Sequence, residues 1–242
     1  MGKILVIGES CRDVFVYCDA NRLCPDVPVP VLNVIDQSEN PGMAKNVQRN
    51  IKSLMGDCDL ITNFNWYNIT KTRYVHKKSN HTFIRVDSPN EIKRLKTEEI
   101  NFDYDIIVIS DYNKGFMTES DIEYICSKHD CVFIDTKKIL GPWAENAKFI
   151  KINDYEYNNS KKYLNETLSN KIIHTDGANG SNYQSVNYPV KRVEVKDSSG
   201  AGDAFMAALV SDYHKTNDII KSIKFANKCA SKVVTEVGVT TI

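Results

Sequence analysis

The stretch Asp197-Ser198-Ser199-Gly200-Ala201-Gly202-Asp203-Ala204-Phe205 decides how the rest of this sequence is interpreted. Two glycines flank one alanine, an acidic residue follows, and an apolar, helix-like segment continues to Val210. A glycine turn that opens a helix leaves backbone N–H groups unpaired, and the helix dipole adds partial positive charge, so the pattern predicts an anion site. Asp203 would repel a bound anion unless it takes a proton from a hydroxyl that attacks a nearby phosphate. An acid that only stabilises a helix start is the alternative, and these residues alone do not separate the two.

The composition narrows the class of partner. The 242 residues include 31 basic and 31 acidic side chains, a balance that does not favour a nucleic-acid or membrane surface. The seven cysteines form no C-x-x-C pair, which argues against a zinc site and indicates reduced thiols. The apolar run at residues 3–8 is too short for a signal peptide, and no segment is long enough to span a bilayer. We therefore expect a cytoplasmic protein with neither nucleic acid nor membrane as partner.

Short apolar strands alternate with helical stretches along most of the chain. Strands are predicted at residues 4–7, 106–109, 132–134, 149–152 and 172–174. Helices are predicted at residues 43–55, 91–100 and 118–128 and, after a hairpin at 180–190, at about 201–215 and 218–236. This alternation predicts an α/β fold with a parallel sheet that is covered on both faces.

The chain contains a second set of strand-like segments, and these are not separated by helices of their own. The set comprises residues 13–18, 29–35, 71–77 and 82–87. These segments predict a small antiparallel sheet that stands off the main one and is apolar on one face. Because such a face usually needs cover, the sheet is predicted to be a lid or a homodimer contact. An extension of the main sheet is the alternative.

Four segments, in this order, resemble the signature motifs of the ribokinase/PfkB carbohydrate kinase family. Residues 41–47 resemble G-G-x-x-x-N, 151–156 resemble N-x-x-E, 175–180 resemble T-x-G-x-x-G, and 197–203 resemble D-T-x-G-A-G-D. The resemblance implies a ribokinase-like three-layer sandwich with a mostly parallel central sheet and a small β-sheet lid. It implies one kinase domain over residues 1–242, with lid strands within about 13–36 and 71–87. It also implies an ATP-dependent kinase that uses Mg²⁺.

Further segments are similar to the kinase domain of the ADP-heptose synthesis enzymes. They are residues 9–13, 25–31, 70–73, 84–87, 110–115 and 134–137. The resemblance implies phosphorylation of a heptose 7-phosphate at its anomeric hydroxyl. Another sugar or nucleoside kinase of the same fold stays open, as does a binding protein that has lost turnover. The sequence shows no nucleotidyltransferase domain, so we expect any second step of such a pathway on another chain.

The resemblance assigns the chemistry to the 197–203 segment. Asp203 is the implied general base, and the backbone N–H groups of Gly200, Ala201 and Gly202 are implied to face the transferring phosphoryl group. Asp197 is expected to order the turn, and the resemblance also allows it near a monovalent cation.

The implied substrate residues are Asp13, Gly42, Asn46, Arg85 and Asp111. Asp13 and Asn46 can hold sugar hydroxyls, and the planar fork of Arg85 matches a phosphate. The structural alternatives are a turn or helix-surface position for Asp13 and Asn46 and a solvated strand end for Arg85.

The implied nucleotide residues are Lys151, Asn153, Thr175, Gly177, Gly180 and Asn227. Asn153 and Glu156 are the implied Mg²⁺ residues, acting through water, although their spacing also fits a helix capping box. Asn227 is implied to approach the adenine, with an exposed helix position as the alternative. Lys114, Lys137 and Lys151 follow predicted strand ends, where open α/β sheets bind ligands.

The sequence departs from the family pattern in several places. Met43 stands where the second glycine of G-G is usual, and Arg12 replaces an apolar residue. The region 55–70 is short, as if a βα unit were lost, and 157–171 is short as well. Met43 is expected to crowd or reshape the sugar pocket.

Overall fold

The computed structural model describes residues 3–88, 91–236 and 238–242. The strands are β1 (Ile4–Gly8), β2 (Ser10–Asp19), β3 (Asn33–Met43), β4 (Asp59–Ile61), β5 (Thr70–His76), β6 (Thr82–Asp87), β7 (Ile106–Asp111), β8 (Val132–Thr136), β9 (Phe149–Asn153), β10 (Ile172–Thr175), β11 (Ser181–Tyr183) and β12 (Val186–Tyr188). The helices are α1 (Ala44–Met55), α2 (Glu119–Lys128), α3 (Asp154–Ser160), α4 (Glu166–Ser169), α5 (Ala201–Thr216) and α6 (Ile219–Val233).

The central sheet has the strand order β12-β11-β10-β9-β8-β7-β1-β4. The strands from β10 to β4 are parallel, and the β11–β12 hairpin adds an antiparallel edge. Successive side chains of a strand point to opposite faces, so each strand contributes to two cores. Ile4 and Val6 pack with α1, α5 and α6, whereas Leu5 and Ile7 pack with α2 and α4. The predicted three-layer sandwich with a mostly parallel central sheet is confirmed.

The smaller sheet has the order β3-β2-β5-β6 and is called the lid sheet, or lid, below. The expectation of a purely antiparallel lid is wrong at its centre, because β2 and β5 pair in parallel. The chain leaves β2, returns through β3, α1 and β4, and enters β5 in the same direction. A parallel pair requires such a crossover.

Two predicted elements are placed differently. Residues 91–96 form no helix, and only a short 3-10 turn occurs at Thr97–Glu99. Tertiary contacts override the local pattern, since the Leu95 N–H donates to the Phe116 carbonyl and Arg94 forms a fork on Asp121. The strand expected at 29–35 begins only at Asn33, because the preceding prolines lack the N–H group that a ladder needs.

In the short region 55–70, where a whole βα unit was expected to be missing, the structure has a strand but no α-helix. The edge strand β4 pairs with β1, and only the 3-10 turn Trp66–Asn68 precedes β5. Within the described residues, the structure contains no helix that is long and apolar enough to cross a membrane.

Candidate active site

The parallel strands β7 to β10 end at one edge of the sheet, where open α/β sheets bind ligands. A cavity of about 1020 Å³ opens there and reaches the first turn of α5 and one side of α6. The predicted catalytic and nucleotide residues all line this cavity: Asp203, Gly200, Ala201, Gly202, Lys151, Asn153, Thr175, Gly177, Gly180 and Asn227.

Asp203 lies in the first turn of α5 and is almost completely buried. Its Oδ2 accepts a hydrogen bond of 2.9 Å from the Asn46 side chain, and its Oδ1 accepts one of 2.7 Å from the Tyr112 hydroxyl. Burial raises the pKa of Asp203 to about 6, although these two hydrogen bonds oppose the shift. A carboxylate with a pKa near neutrality suits a general base.

Gly200 makes the turn that starts α5. Its φ of 79° is left-handed, and an added Cβ would lie 3.0 Å from the amide nitrogen of Asn46. The Ala201 N–H is used inside the turn, where it donates to the Ser198 carbonyl at 3.2 Å. The first bond within the helix comes from Ala204, so the N–H groups of Gly202 and Asp203 have no acceptor in α5. The backbone N–H of Ala201, which was expected to face the phosphoryl group, therefore already donates a hydrogen bond within the protein.

Lys151 lies beside this turn and is buried in the middle of β9. Its ammonium group is 2.7 Å from the Asp135 carboxylate, and a Cβ on Gly202 would approach that ammonium to 3.0 Å. The absence of a side chain at Gly202 therefore lets a fixed positive charge sit next to the start of α5.

Tyr112 and Asp135 are site residues to which the sequence analysis gave no role. Tyr112 directly follows β7, and Asp135 is the penultimate residue of β8. They belong to the segments 110–115 and 134–137. Glu9 fixes the loop that carries Tyr112, because its buried carboxylate accepts from the backbone N–H groups of Tyr112 and Lys114 at 2.8 and 2.9 Å. The Glu9 carbonyl also accepts from the Ala44 N–H at the start of α1. One residue thus anchors both elements that donate to Asp203.

The sugar-side residues lie at the junction of the lid and α1. Asp13 on β2 pairs with Arg73 on β5 at 2.9 Å. Gly42 lies opposite Cys11 on the paired strand β3, diagonal to Asp13, and a Cβ there would lie 2.3 Å from an Asp13 oxygen. Asn46 lies in the first turn of α1, and its side chain donates directly to Asp203. A second cavity of about 310 Å³, lined in part by Arg73 and Ser199, lies between the lid and the 195–199 segment.

None of the five predicted substrate residues lines either of these two cavities. Two of them, Arg85 and Asp111, are bound to other side chains of the protein. Arg85 lies on the lid edge strand β6, and its fork is bound to Asp87 by hydrogen bonds of 2.7 and 2.6 Å. Asp111 ends β7 and is buried, where it accepts from Thr136 and contacts the ammonium of Lys138. Both side chains therefore make internal contacts in this structure.

Lys71 is a basic side chain that the sequence analysis did not single out. It is only 8% exposed, and no carboxylate of the described residues lies within ion-pair distance of its ammonium. That ammonium is 5.0 Å from the ring centre of Tyr112, and Lys137 contacts the same ring at 5.4 Å.

The other predicted nucleotide residues also line the large cavity. Gly180 has φ 89°, and a Cβ there would lie 2.2 Å from the Tyr188 carbonyl, which explains the glycine. Asn227 is buried rather than exposed, and its amide donates to Ser181 and to the Tyr188 carbonyl. Asn227 therefore joins α6 to the β11–β12 hairpin while still lining the cavity.

Asn153 and Glu156 form the capping box of α3. The Glu156 carboxylate accepts from the backbone and side chain of Asn153 and also contacts the Lys137 ammonium. No group of three acidic, histidine or cysteine side chains in the described residues could enclose a metal ion. This donor set fits an ion that arrives with phosphate ligands and keeps its waters, since Mg²⁺ is usually bound in that way.

Met43 stands where the G-G-x-x-x-N motif has its second glycine, and it keeps a backbone conformation typical of glycine. Its φ of 61° and ψ of −135° lie in a region that glycine adopts readily, at the residue before α1. Its side chain is buried beside Cys11 and Ile69. The backbone therefore keeps the glycine conformation at the cost of local strain.

Comparison with known proteins agrees with this geometry. The sequence profile of the pfkB family carbohydrate kinases matches residues 144–242, a range that contains three of the four motifs. The bifunctional protein HldE of Hydrogenovibrio crunogenus is 28% identical over 294 aligned residues. That alignment covers 99% of this chain and 61% of the relative, so the chain spans about three fifths of its length. The resemblance to the ribokinase/PfkB family is confirmed.

Solved structures share the fold. A ribokinase from Thermotoga maritima aligns with a TM-score of 0.77 at 17% identity, over 99% of this chain and 95% of that one. A nucleoside kinase from Methanocaldococcus jannaschii aligns with a TM-score of 0.73 at 19% identity, over 99% and 93%. At these identities the similarity establishes the fold alone.

Proposed function

We propose that this chain is an ATP-dependent sugar kinase in which Asp203 activates the acceptor hydroxyl. The observation that carries the proposal is the position of Asp203, a buried carboxylate of near-neutral pKa at the start of α5, in the wall of the 1020 Å³ cavity. The match of residues 144–242 to carbohydrate kinases supports the same reaction.

The proposed step needs few protein groups. Asp203 accepts the proton of the sugar hydroxyl as its oxygen attacks the terminal phosphorus of ATP, and ADP leaves. The free N–H groups at the start of α5 and the Lys151 ammonium face the negative charge of the transferring group. Because phosphoryl transfer depends chiefly on positioning and charge, these contacts supply most of what the chain must contribute.

The nucleotide is proposed to lie between the strand ends and α6. Lys151, Asn153 and Thr175 line the same cavity as Asp203, and its lining also includes the apolar side chains of Val190, Val193, Val195 and Val234. An apolar wall with a few polar groups is typical of a site for a flat base. Asn153 and Glu156 would hold Mg²⁺ through water, and the ion would neutralise phosphate charge.

We infer that the acceptor is a phosphorylated sugar, by resemblance a heptose 7-phosphate attacked at its anomeric position. The HldE relatives support this choice, and so does the basic side chain of Lys71, which is buried next to Tyr112 without a carboxylate partner. A buried ammonium of this kind is stabilised when a substrate anion supplies the missing charge. Lys71 is thus proposed as a phosphate ligand in addition to Arg85.

Several further properties belong to the same proposal. Residues 1–242 would act as one kinase domain, and two copies would associate through their lid strands. Exposed apolar side chains on β3 and β6, such as Val34 and Ile84, support that contact. A cytoplasmic location is consistent with an ATP-dependent reaction. Asp197, whose carboxylate accepts from Ser199 and Gly238, would order the turn near a monovalent cation.

The test is ADP release from Mg-ATP with a panel of sugars, sugar phosphates and nucleosides. We expect turnover with a phosphorylated sugar, and Asp203→Asn should lower it by about 10²–10⁴-fold. Turnover that survives in Asp203→Asn would refute the assigned base. Nucleotide binding without turnover of any acceptor would instead indicate a binding protein.

A further inference from the structure

We propose that Tyr112 is a positioning residue for Asp203, whose carboxylate its hydroxyl group orients and stabilises in the ionised form. The catalytic meaning of this contact rests on the proposed function, but the contact itself does not. Tyr112 has no role in the motif comparison above.

The geometry fixes the plane of the carboxylate. Tyr112 donates to Oδ1 of Asp203 at 2.7 Å, and Asn46 donates to Oδ2 at 2.9 Å. The donors come from two different elements, the loop after β7 and helix α1, so they hold the carboxylate from two sides. A base held in this way loses little orientation freedom when the acceptor hydroxyl arrives.

Tyr112 is itself held on several sides. Its backbone N–H donates to Glu9 at 2.8 Å, and the ammonium groups of Lys71 and Lys137 lie 5.0 and 5.4 Å from its ring centre. These distances are within the range of cation–π contacts. Nearby cations also favour donation by the phenol, which makes the bond to Asp203 stronger.

The groups around Asp203 define what removal of the phenol should do. They are Cys11 from β2, Asn46 from α1, Tyr112 from the loop after β7, Asp135 and Lys137 from β8 and the turn after it, and Lys151 from β9. Burial raises the pKa of Asp203, and the hydrogen bonds from Asn46 and Tyr112 lower it. Without the phenol hydroxyl, one of these two hydrogen bonds is lost and the pKa rises further. A hydrogen bond to a buried charge corresponds to about one pH unit or somewhat more.

The test is Tyr112→Phe, which keeps the ring and removes only the hydroxyl. The titration of Asp203 is followed by ¹³C NMR in protein labelled at aspartate carboxyl groups, with the signal assigned by its loss in Asp203→Asn. The acid limb of kcat/KM is measured in parallel with the acceptor that is turned over. We expect both midpoints to rise by about one pH unit.

Tyr104→Phe is the matched control. The Tyr104 hydroxyl also donates to an aspartate, Asp59, at 2.8 Å, but outside the site. This variant should leave the Asp203 titration where it is in the unmodified protein. An unchanged titration in Tyr112→Phe, or an equal shift in Tyr104→Phe, overturns the inference.

Two further outcomes separate the inference from the proposed function. If the NMR midpoint moves in Tyr112→Phe while the unmodified protein turns over no acceptor, the proposed function fails and the contact stands. If Tyr112→Phe does not fold, 3-fluorotyrosine at position 112 replaces it. This residue is a stronger donor and should lower the midpoint, and a midpoint that stays or rises overturns the inference.

Discussion

The side-chain amide of Asn46 donates a 2.9 Å hydrogen bond to Oδ2 of Asp203 across 157 positions of sequence. Asn46 belongs to the segment expected to bind the sugar, and Asp203 to the segment expected to catalyse the transfer. Their contact places the acceptor side of the site directly against the base. A change at Asn46 should therefore alter proton transfer as well as substrate binding.

Asn46→Leu keeps a similar volume and removes this donor. We expect the pKa of Asp203 to rise, because one hydrogen bond to the ionised form is lost. The loss of kcat/KM that comes from ionisation should be about tenfold at pH 5, about twofold at pH 7 and close to none at pH 9, where Asp203 is ionised in both proteins. Gln48→Leu on the same helix, whose side chain bonds to the Cys58 carbonyl, is the control and should keep the original profile.

Asp203→Asn should stabilise the fold at neutral and alkaline pH while it removes catalysis. Burial raises the pKa of Asp203 from 3.8 to about 6, so folding disfavours its ionised form. The contribution of protonated Asp203 to the free energy of unfolding is fully present below about pH 4. It is lost as the pH rises through about 6, and the free energy of unfolding falls by about 3 kcal/mol. An uncharged asparagine avoids this loss.

Urea unfolding at pH 4.5 and pH 8 measures the effect. The variant should exceed the unmodified protein by up to about 3 kcal/mol at pH 8 and by much less at pH 4.5. Asp130→Asn removes an exposed carboxylate and should show no such pH dependence. If the stability gained by Asp203→Asn over the unmodified protein is smaller at pH 8 than at pH 4.5, the raised pKa of Asp203 is contradicted.

Met43→Gly should be more stable than Met43→Ala, the reverse of the usual order. Both variants lose the buried side chain, but only glycine relaxes the backbone at φ 61°. The strain relieved is about 1–3 kcal/mol. Lys52, exposed in the interior of α1, provides the comparison, since alanine should there exceed glycine by about 1 kcal/mol. Thermal or urea unfolding of the four variants gives both differences.

Lys71→Met should separate phosphorylated from unphosphorylated acceptors. The substitution keeps the length of the side chain and removes a buried charge without a carboxylate partner. KM for a sugar phosphate should rise about 10- to 100-fold, and KM for an unphosphorylated sugar should change little. Lys78→Met, an exposed position in the turn between β5 and β6, should affect neither. Equal losses for both acceptors would argue against Lys71 as a phosphate ligand.

The central sheet could be predicted from the sequence because its strands are buried on both faces. Such strands are continuous apolar runs, so the prediction at residues 4–7 differs from β1 by a single residue. The segment 91–100 failed for the opposite reason. Its pattern suits a helix locally, but the bonds from Leu95 to Phe116 and from Arg94 to Asp121 come from distant residues.

The site shows the same division. The α5 turn could be predicted because glycines and an acid stand next to each other in the sequence. Tyr112 could not, since its partner Asp203 lies 91 residues away and no local pattern marks a tyrosine as a donor. Arg85 is a different case, because Asp87 is two residues away on the same face of a strand. That spacing could have indicated an internal pair.

The parallel pairing of β2 with β5 has a consequence for how the lid forms. The β2–β3 hairpin can close early through local contacts, but β5 must wait for α1 and β4, since Arg73 and Asp13 lie 60 residues apart. Closing such a long loop costs chain entropy before any contact compensates it. We expect β5 and β6 to acquire amide protection later during refolding than β2 and β3. The part of the lid that carries Lys71 and Arg73 would then form last, after the central sheet.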